Sequence, residues 1–300
     1  VQRLVEDLSV SFSGQIEEIA FVIGDFGTTV ENQLRDIAHS LGAKASIYHQ
    51  KEPLGPGHAI YCARKSLSGN CIIAFSDTLF KADFSFDHQA EGIIWVQKVD
   101  NPSSFGVVQL NEQQFITAFV EKPSTFVSDL AIVGIYYIRE AERLRDQLGH
   151  NIENNIKEKG EFQITTALEH LKEKGLKFGI GQIEEWLDCG NKDSVIYTNQ
   201  RMLELKKEKE ALIARSVEQE NAIIIPPCYI GNNVCLKNSI VGPHVSIGSN
   251  STIQNSVISN SLIQSETQVK NANLFNSMLG NHVEYQGEKS ELSLGDHSQA

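Results

Sequence analysis

Past Asn221 the chain breaks into short apolar pairs recurring every five to seven residues, each followed by small or polar residues: Ile224-Ile225, Ile230-Gly231, Ile240-Val241-Gly242, Ile247-Gly248, Val257-Ile258, Leu262-Ile263 and Leu279-Gly280. Such a period is too short for helices and too regular for ordinary loops. It matches the hexapeptide repeat of a parallel β-helix, the alternative being chance Ile-Gly pairs in a β-sandwich. Asn232, Asn233, Asn250 and Asn260 fall at the corners, and asparagine tolerates the turn conformations that each coil needs. Roughly ten short turns, at three to a coil, make about four coils. Stacked coils leave an open end that a cap or another chain commonly covers, so a homo-oligomer is expected.

Upstream, to about Ser216, strand-like and helix-like segments alternate. Ile19–Ile23 is apolar and β-like. Thr28–Leu41 carries helical spacing through Val30, Leu34, Ile37, Ala38 and Leu41, with Gly42 as a stop. Ala45–His49 and Cys71–Phe75 are further strands, and Gly57–Leu67 is a further helix. Strands are also expected at Ile93–Val99, Gly106–Leu110, Ile116–Glu121, Leu130–Ile138 and Lys177–Ile183, with helices at Gln163–Lys174 and Ser194–Ala214. Alternation of this kind predicts an α/β fold, a mainly parallel sheet covered by helices on both faces. The domains expected are residues 1–216, a β-helix over 221–285 and a tail over 286–300.

The formal net charge of −12, with no Lys/Arg-rich run, argues against a polynucleotide or an anionic membrane as partner. A nucleotide meeting so acidic a protein is expected to arrive with Mg²⁺. Cys62, Cys71, Cys189, Cys228 and Cys235 form an odd set without a C-x-x-C, which suggests neither a disulfide framework nor a zinc ribbon but a reducing compartment. No stretch approaches 18 apolar residues and Val1-Gln2-Arg3-Leu4-Val5 lacks the layout of a signal peptide. A cytoplasmic location is expected.

Chemistry-bearing residues stand in four places. In Gln50-Lys51-Glu52-Pro53-Leu54-Gly55-Pro56-Gly57-His58, between a strand and a helix, an amide that can pair with a base edge accompanies glycines that let a ring approach the backbone; an ordinary loop is the bland reading. In Phe75-Ser76-Asp77-Thr78 an apolar strand stops at a carboxylate suited to a hard divalent cation or, more plainly, to capping a helix. Glu121-Lys122-Pro123, with Phe105-Gly106-Val107-Val108, offers a carboxylate for sugar hydroxyls and an ammonium for a phosphate. Adjacent strand residues point to opposite faces, so a shared site requires the strand to end or bulge there, and Pro123 favours an ending. In Trp186-Leu187-Asp188-Cys189-Gly190 a second carboxylate either shares a Mg²⁺ with Asp77 or caps a helix starting near Asn191.

Taken in order, Gln50…Gly55, Ser76-Asp77, Phe105-Gly106-Val107-Val108, Glu121-Lys122-Pro123, Gly160-Glu161-Phe162-Gln163-Ile164-Thr165 and Trp186-Leu187-Asp188-Cys189-Gly190 resemble the motif series of the sugar-1-phosphate nucleotidyltransferases, glucose-1-phosphate thymidylyltransferases in particular. The likeness covers nearly all of residues 1–215, and many members carry a β-helix tail. It implies a Rossmann-like nucleotidyltransferase domain followed by a left-handed parallel β-helix. It makes Gln50 and Gly55 base-recognising, Asp77 and Asp188 the Mg²⁺ ligands, and Gly106, Glu121 and Lys122 sugar-phosphate contacts. The reaction implied joins an NTP, dTTP or UTP favoured, to a sugar 1-phosphate by in-line attack on the α-phosphorus, with pyrophosphate leaving. Asp77, Asp188 and Lys122 would carry it by positioning and charge neutralisation.

Two departures from the family pattern stand out. Ser76 replaces the usual glycine, and the opening strand with its glycine-rich, Arg-containing triphosphate loop, on the order of 30 residues, does not appear. The chain as written is therefore expected to be inactive or impaired. A non-catalytic regulatory or scaffolding subunit of the same fold is the first rival. The second is a β-helix acyltransferase using His244 or His282.

Overall fold

The computed structural model describes residues 1–11, 16–81 and 89–288. They fall into two compact units, Val1–Trp186 and Leu187–Ala300. Most of the expected tail, residues 289–300, lies outside the described residues.

The first unit contains α1 (Gln2–Ser11), β1 (Glu18–Ile23), α2 (Gly27–Ser40), β2 (Lys44–His49), α3 (Pro56–Cys62), β3 (Cys71–Ala74), β4 (Thr78–Lys81), β5 (Gly92–Lys98), β6 (Val107–Leu110), β7 (Ile116–Val120), β8 (Leu130–Ile138), α4 (Ala141–Glu153), α5 (Ile164–Glu173), β9 (Phe178–Gln182) and the start of β10 (Glu185–Asp188). β1 and β2 form a parallel pair. A larger sheet runs β7-β6-β8-β5-β9, with β3 also on β8, and β4 pairs with β10. β8 is antiparallel to β3, β5 and β6, β7 is antiparallel to β6, and β5 is parallel to β9. Four of these six strands, β3, β5, β6 and β9, therefore share one direction, and β7 and β8 run against it.

The near-continuous apolar run of β8 follows from covering both faces of the sheet. Alternation along the strand sends Ile132, Tyr136 and Ile138 to a core with Ile60, Leu144, Leu148, Ile164 and Leu168 of α3, α4 and α5. Val133, Ile135 and Tyr137 go to a second core with Leu4 and Leu8 of α1 and with Trp95. Phe21, Leu34 and Ala38 form a third, between α2 and the β1–β2 pair.

Two expected helices are shorter than their periodicity implies, and α1 and α4 form where no helix is expected. α3 ends at Cys62, short of Leu67, because Ala63 N–H turns back to Ile60 C=O. α4 escapes the periodicity, because its inward face mixes Leu144 and Leu148 with Gln147 and Asn151, which blurs the apolar period. Those amides are satisfied in place: Gln147 Nε2 donates to Asn151 Oδ1 at 2.8 Å and Lys174 Nζ to Gln147 Oε1 at 2.6 Å. The last expected helix, α6 (Lys192–Lys206), stops well before Ala214. The chain beyond it instead satisfies the edge of the first coil, Ala214 N–H donating to Ile230 C=O and Ile230 N–H to Leu212 C=O, both at 2.9 Å.

The second unit is α6 with a parallel β-solenoid of three ladders: Glu218–Glu220 through Glu284–Gln286, Ile223–Ile224 through Asn273–Phe275, and Cys228–Ile230 through Met278–Leu279. Non-glycine residues with positive φ stand at 233, 238, 244, 250, 255, 260, 266, 271, 276 and 282, five or six residues apart. That spacing is consistent with a hexapeptide repeat whose corners are sometimes one residue short. Seven of the ten are asparagine, the residue that enters the left-handed region at least cost after glycine. One corner is a ladder of amides, Asn221 to Asn238 to Asn255 to Asn271, with Nδ2 to Oδ1 distances of 2.9, 3.2 and 3.0 Å. The compositional break near 216–221 marks where helix gives way to coils. The packing division lies earlier because α6 rests on the solenoid, Ser246 Oγ donating to Asn199 Oδ1 at 2.6 Å. Among the described residues no helix is long and apolar enough to cross a membrane.

Candidate active site

Glu121 follows the last residue of β7 and is buried, 8 % exposed, while Lys122 beside it is exposed. The strand ends here, as two adjacent side chains serving one site require: Lys122 takes φ 40° and its N–H donates to Phe105 C=O at 3.1 Å. Thr165 in the first turn of α5, 3 % exposed, donates its hydroxyl to Glu121 Oε2 at 2.9 Å. Burial raises the Glu121 carboxyl above the usual range, against the Thr165 bond and the Lys122 charge, which lower it; Glu158 and Glu161 add to the rise. Beneath it, the fully buried Tyr136 hydroxyl is raised by burial and then by the Glu121 charge. Gly106 leaves the space that this cluster needs, since a Cβ there would come within 3.1 Å of Glu121 Oε2 and of Thr165 Cγ2.

The Gln50–His58 turn joins the same neighbourhood through the backbone. Phe162 N–H donates to Leu54 C=O at 2.9 Å and Gly57 N–H to Phe162 C=O at 2.7 Å. That contact fixes Gly55 as glycine: φ is 108°, and a Cβ would lie 2.8 Å from Glu161 Cβ and 2.9 Å from Phe162 O. Gln50 Nε2 donates to Gly55 C=O at 3.0 Å and meets His58 Nδ1 at 3.1 Å. The segment Glu161–Thr165 therefore links Gln50 and Gly55 on one side to Glu121 and Gly106 on the other.

Asp77 is exposed in the turn from β3 to β4. Its successor element is the strand β4, so the helix-cap alternative falls. The turn is held by Thr78, buried, whose hydroxyl donates to Val133 C=O at 3.0 Å. Asp188 closes β10, in the second unit. It does not cap α6 either, since Asn191 does so, its Oδ1 accepting from Ser194 N–H at 3.0 Å. The Asp188 backbone C=O accepts from Thr198 Oγ1 at 2.7 Å. Neither the Asp77 nor the Asp188 carboxylate has a hydrogen bond or ion pair among the described residues. No group of three or more His, Cys, Asp or Glu residues able to hold a metal occurs among them. Each carboxylate taken by itself is a hard oxygen donor of the kind Mg²⁺ takes, the ion usually accepting one or two carboxylates and completing its shell with phosphate and water.

Thr165 and His58 gain a role only in the fold. Both stand inside the ordered motifs, but their value lies in what they touch, which spacing does not show. The two histidines of the acyltransferase alternative stand apart at different corners with carboxylate neighbours: His244 Nε2 lies 2.7 Å from Glu204 on α6, and the exposed His282 lies 3.1 Å from Glu266.

The nucleotidyl transferase family model matches residues 4–204, two thirds of the chain. The bifunctional protein GlmU of Methanococcus vannielii is 28% identical over 207 residues, covering 67% of this chain and 47% of that protein. A glucose-1-phosphate thymidylyltransferase of Streptomyces antibioticus is 29% identical over 223 residues, covering 70% and 59%. The chain spans about half the length of the curated relatives it matches. A nucleoside-diphosphate-sugar pyrophosphorylase structure from Vibrio cholerae shares the fold, with a TM-score of 0.56 at 18% identity over 66% of this chain and 85% of that one.

Proposed function

We propose that this chain, which belongs to the nucleotidyl transferase family, acts in transfer of a nucleotidyl group from an NTP to a sugar 1-phosphate, with UTP or dTTP as donor. The carrying observation is the strand end at Glu121-Lys122: a buried carboxylate aligned by Thr165 beside an exposed ammonium with no ion pair among the described residues. A carboxylate accepts from sugar hydroxyls, and a lysine is a point charge for phosphate. Gly106 keeps the approach open, and Gln50 with Gly55 meets the base.

Asp77 and Asp188 are the residues that would hold Mg²⁺. The ion, when bound, neutralises charge on the phosphates. The sugar phosphate oxygen attacks the α-phosphorus, that bond forms as the bond to pyrophosphate breaks, and no covalent enzyme intermediate is required. Lys122 holds the attacking phosphate in place, so the protein's part is positioning and charge stabilisation. The names of the similar enzymes, a glucose-1-phosphate thymidylyltransferase among them, support this reading and make glucose 1-phosphate the first sugar to try.

Calorimetric titration with glucose 1-phosphate tests the sugar-phosphate half. Binding should weaken by at least about tenfold in Lys122→Ala and in Glu121→Ala, and glucose alone should not bind. Equal affinity in all three proteins would refute the assignment. Pyrophosphate release with UTP or dTTP and Mg²⁺ tests the transfer itself: the chain as written should give little, and a form carrying the glycine-rich, Arg-containing triphosphate loop should turn over and lose that activity in Asp188→Asn.

A further inference from the structure

The Gln50 amide has a settled orientation. Its partner at Gly55 is a carbonyl oxygen at 3.0 Å, which can only accept, so the amide nitrogen must face it. The same nitrogen lies 3.1 Å from His58 Nδ1, and an amide nitrogen only donates, so Nδ1 accepts and the imidazole is neutral with its proton on Nε2. Both N–H bonds of the amide are thereby consumed within the turn. Gln50 Oε1 is left without a partner among the described residues, and so is His58 Nε2–H. The ring of His58 is placed by Phe162, the centroids 6.5 Å apart, and Phe162 is itself bonded to Leu54 and Gly57 on either side of Gly55.

We propose that His58 is a positioning residue for base recognition: by taking the second N–H of the Gln50 amide, whose first goes to Gly55 C=O, it leaves Gln50 only an acceptor to offer a ring N–H such as the imide of uracil or thymine. The proposal rests on the nucleotide-binding function proposed for this turn and adds to it the direction of one bond and the residue that sets it. A glutamine free to rotate presents either end and discriminates poorly. One whose donors are both occupied meets a ring lone pair with its own lone pair, as cytosine N3 would do, and leaves a desolvated acceptor unpaired.

The test uses UTP and N3-methyluridine 5′-triphosphate with Mg²⁺, titrated into the chain and into two variants. The wild type should bind UTP about tenfold more tightly than the N3-methyl analogue. His58→Phe keeps a ring against Phe162 but cannot accept, so the ratio should fall towards one; His58→Asn, which returns an acceptor near the Nδ1 position, should restore it. A wild-type ratio near one overturns the acceptor role, and a full ratio retained in His58→Phe overturns the role of His58. Absence of binding to either nucleotide removes the nucleotide reading and this proposal with it, which distinguishes the two failures. Imidazole ¹⁵N shifts of the ligand-free wild-type protein provide a readout independent of ligand and of variant folding: the Nε2–H tautomer is expected, and a protonated Nδ1 overturns the proposal.

Discussion

The Thr165 hydroxyl donates to Glu121 Oε2 at 2.9 Å with both side chains buried, tying the first turn of α5 to the end of β7 across 44 positions of sequence. If Glu121 meets the sugar hydroxyls, recognition depends on that bond as much as on the carboxylate itself.

Thr165→Val keeps the shape and removes the donor. The buried carboxylate then lacks a partner, and stability should fall by about 1–3 kcal/mol. Affinity for glucose 1-phosphate should fall with it, while Thr165→Ser retains both. Thermal unfolding and titration of the three proteins check this; a Val variant matching the wild type in both would contradict it.

Glu121 titrates above its ordinary range, chiefly through burial. The folded state thus holds its proton more tightly than the unfolded chain does, and this group's contribution to stability declines as pH rises from the ordinary carboxylate range through the raised folded value. Glu121→Gln should therefore be more stable than the wild type at neutral pH, with the gap closing below pH about 4, even as sugar 1-phosphate binding is lost. Chemical denaturation of both proteins at several pH values decides the sign.

Glu204 behaves oppositely. Hydrogen bonds from His244 and then from Lys207 lower its carboxyl to about 2. Its stabilisation is present above the unfolded value and is lost as pH falls towards 2. Replacing it by Gln should flatten the acid limb of a melting-temperature profile between about pH 4.5 and 2. A profile unchanged in Glu204→Gln would show that the α6 to solenoid pairing contributes nothing there.

Asn255 takes φ 49° and sits between Asn238 and Asn271 in the amide ladder. Asn255→Ala loses both bonds and places a Cβ without compensation in the left-handed region, a cost of about 1–2 kcal/mol. Asn255→Gly should recover the backbone part only. Equilibrium unfolding that ranks Ala at or above Gly would be evidence against the ladder as a stabilising element.

How legible each part is in the sequence depends on the range of the interactions that make it. The run Leu130–Ile138 is visible as β8 because a strand buried on both faces must be apolar throughout. The coils are visible because each repeats an apolar residue at the same inward position and most repeat an asparagine at the corner. α4 is not, since its buried Gln147 and Asn151 bond each other and Gln147 Oε1 accepts from Lys174, a residue just past the end of the next helix that no local pattern reveals. Nor are the roles of Thr165 and His58, which depend on Glu121 and Gln50 meeting them in space.

The sequence by itself determined the solenoid, the α/β alternation, the ordered motifs that mark the family, and the requirement that the chain stop being a strand at Glu121. All of these rest on periodicity or on adjacency, which are written along the chain. Only the tertiary structure decided that Asp77 and Asp188 cap no helix, that Glu121 is buried and held by Thr165, and that both donors of Gln50 are already spent. Those outcomes depend on which hydrogen-bonding groups meet once distant segments pack, and packing brings together partners that spacing along the chain does not encode.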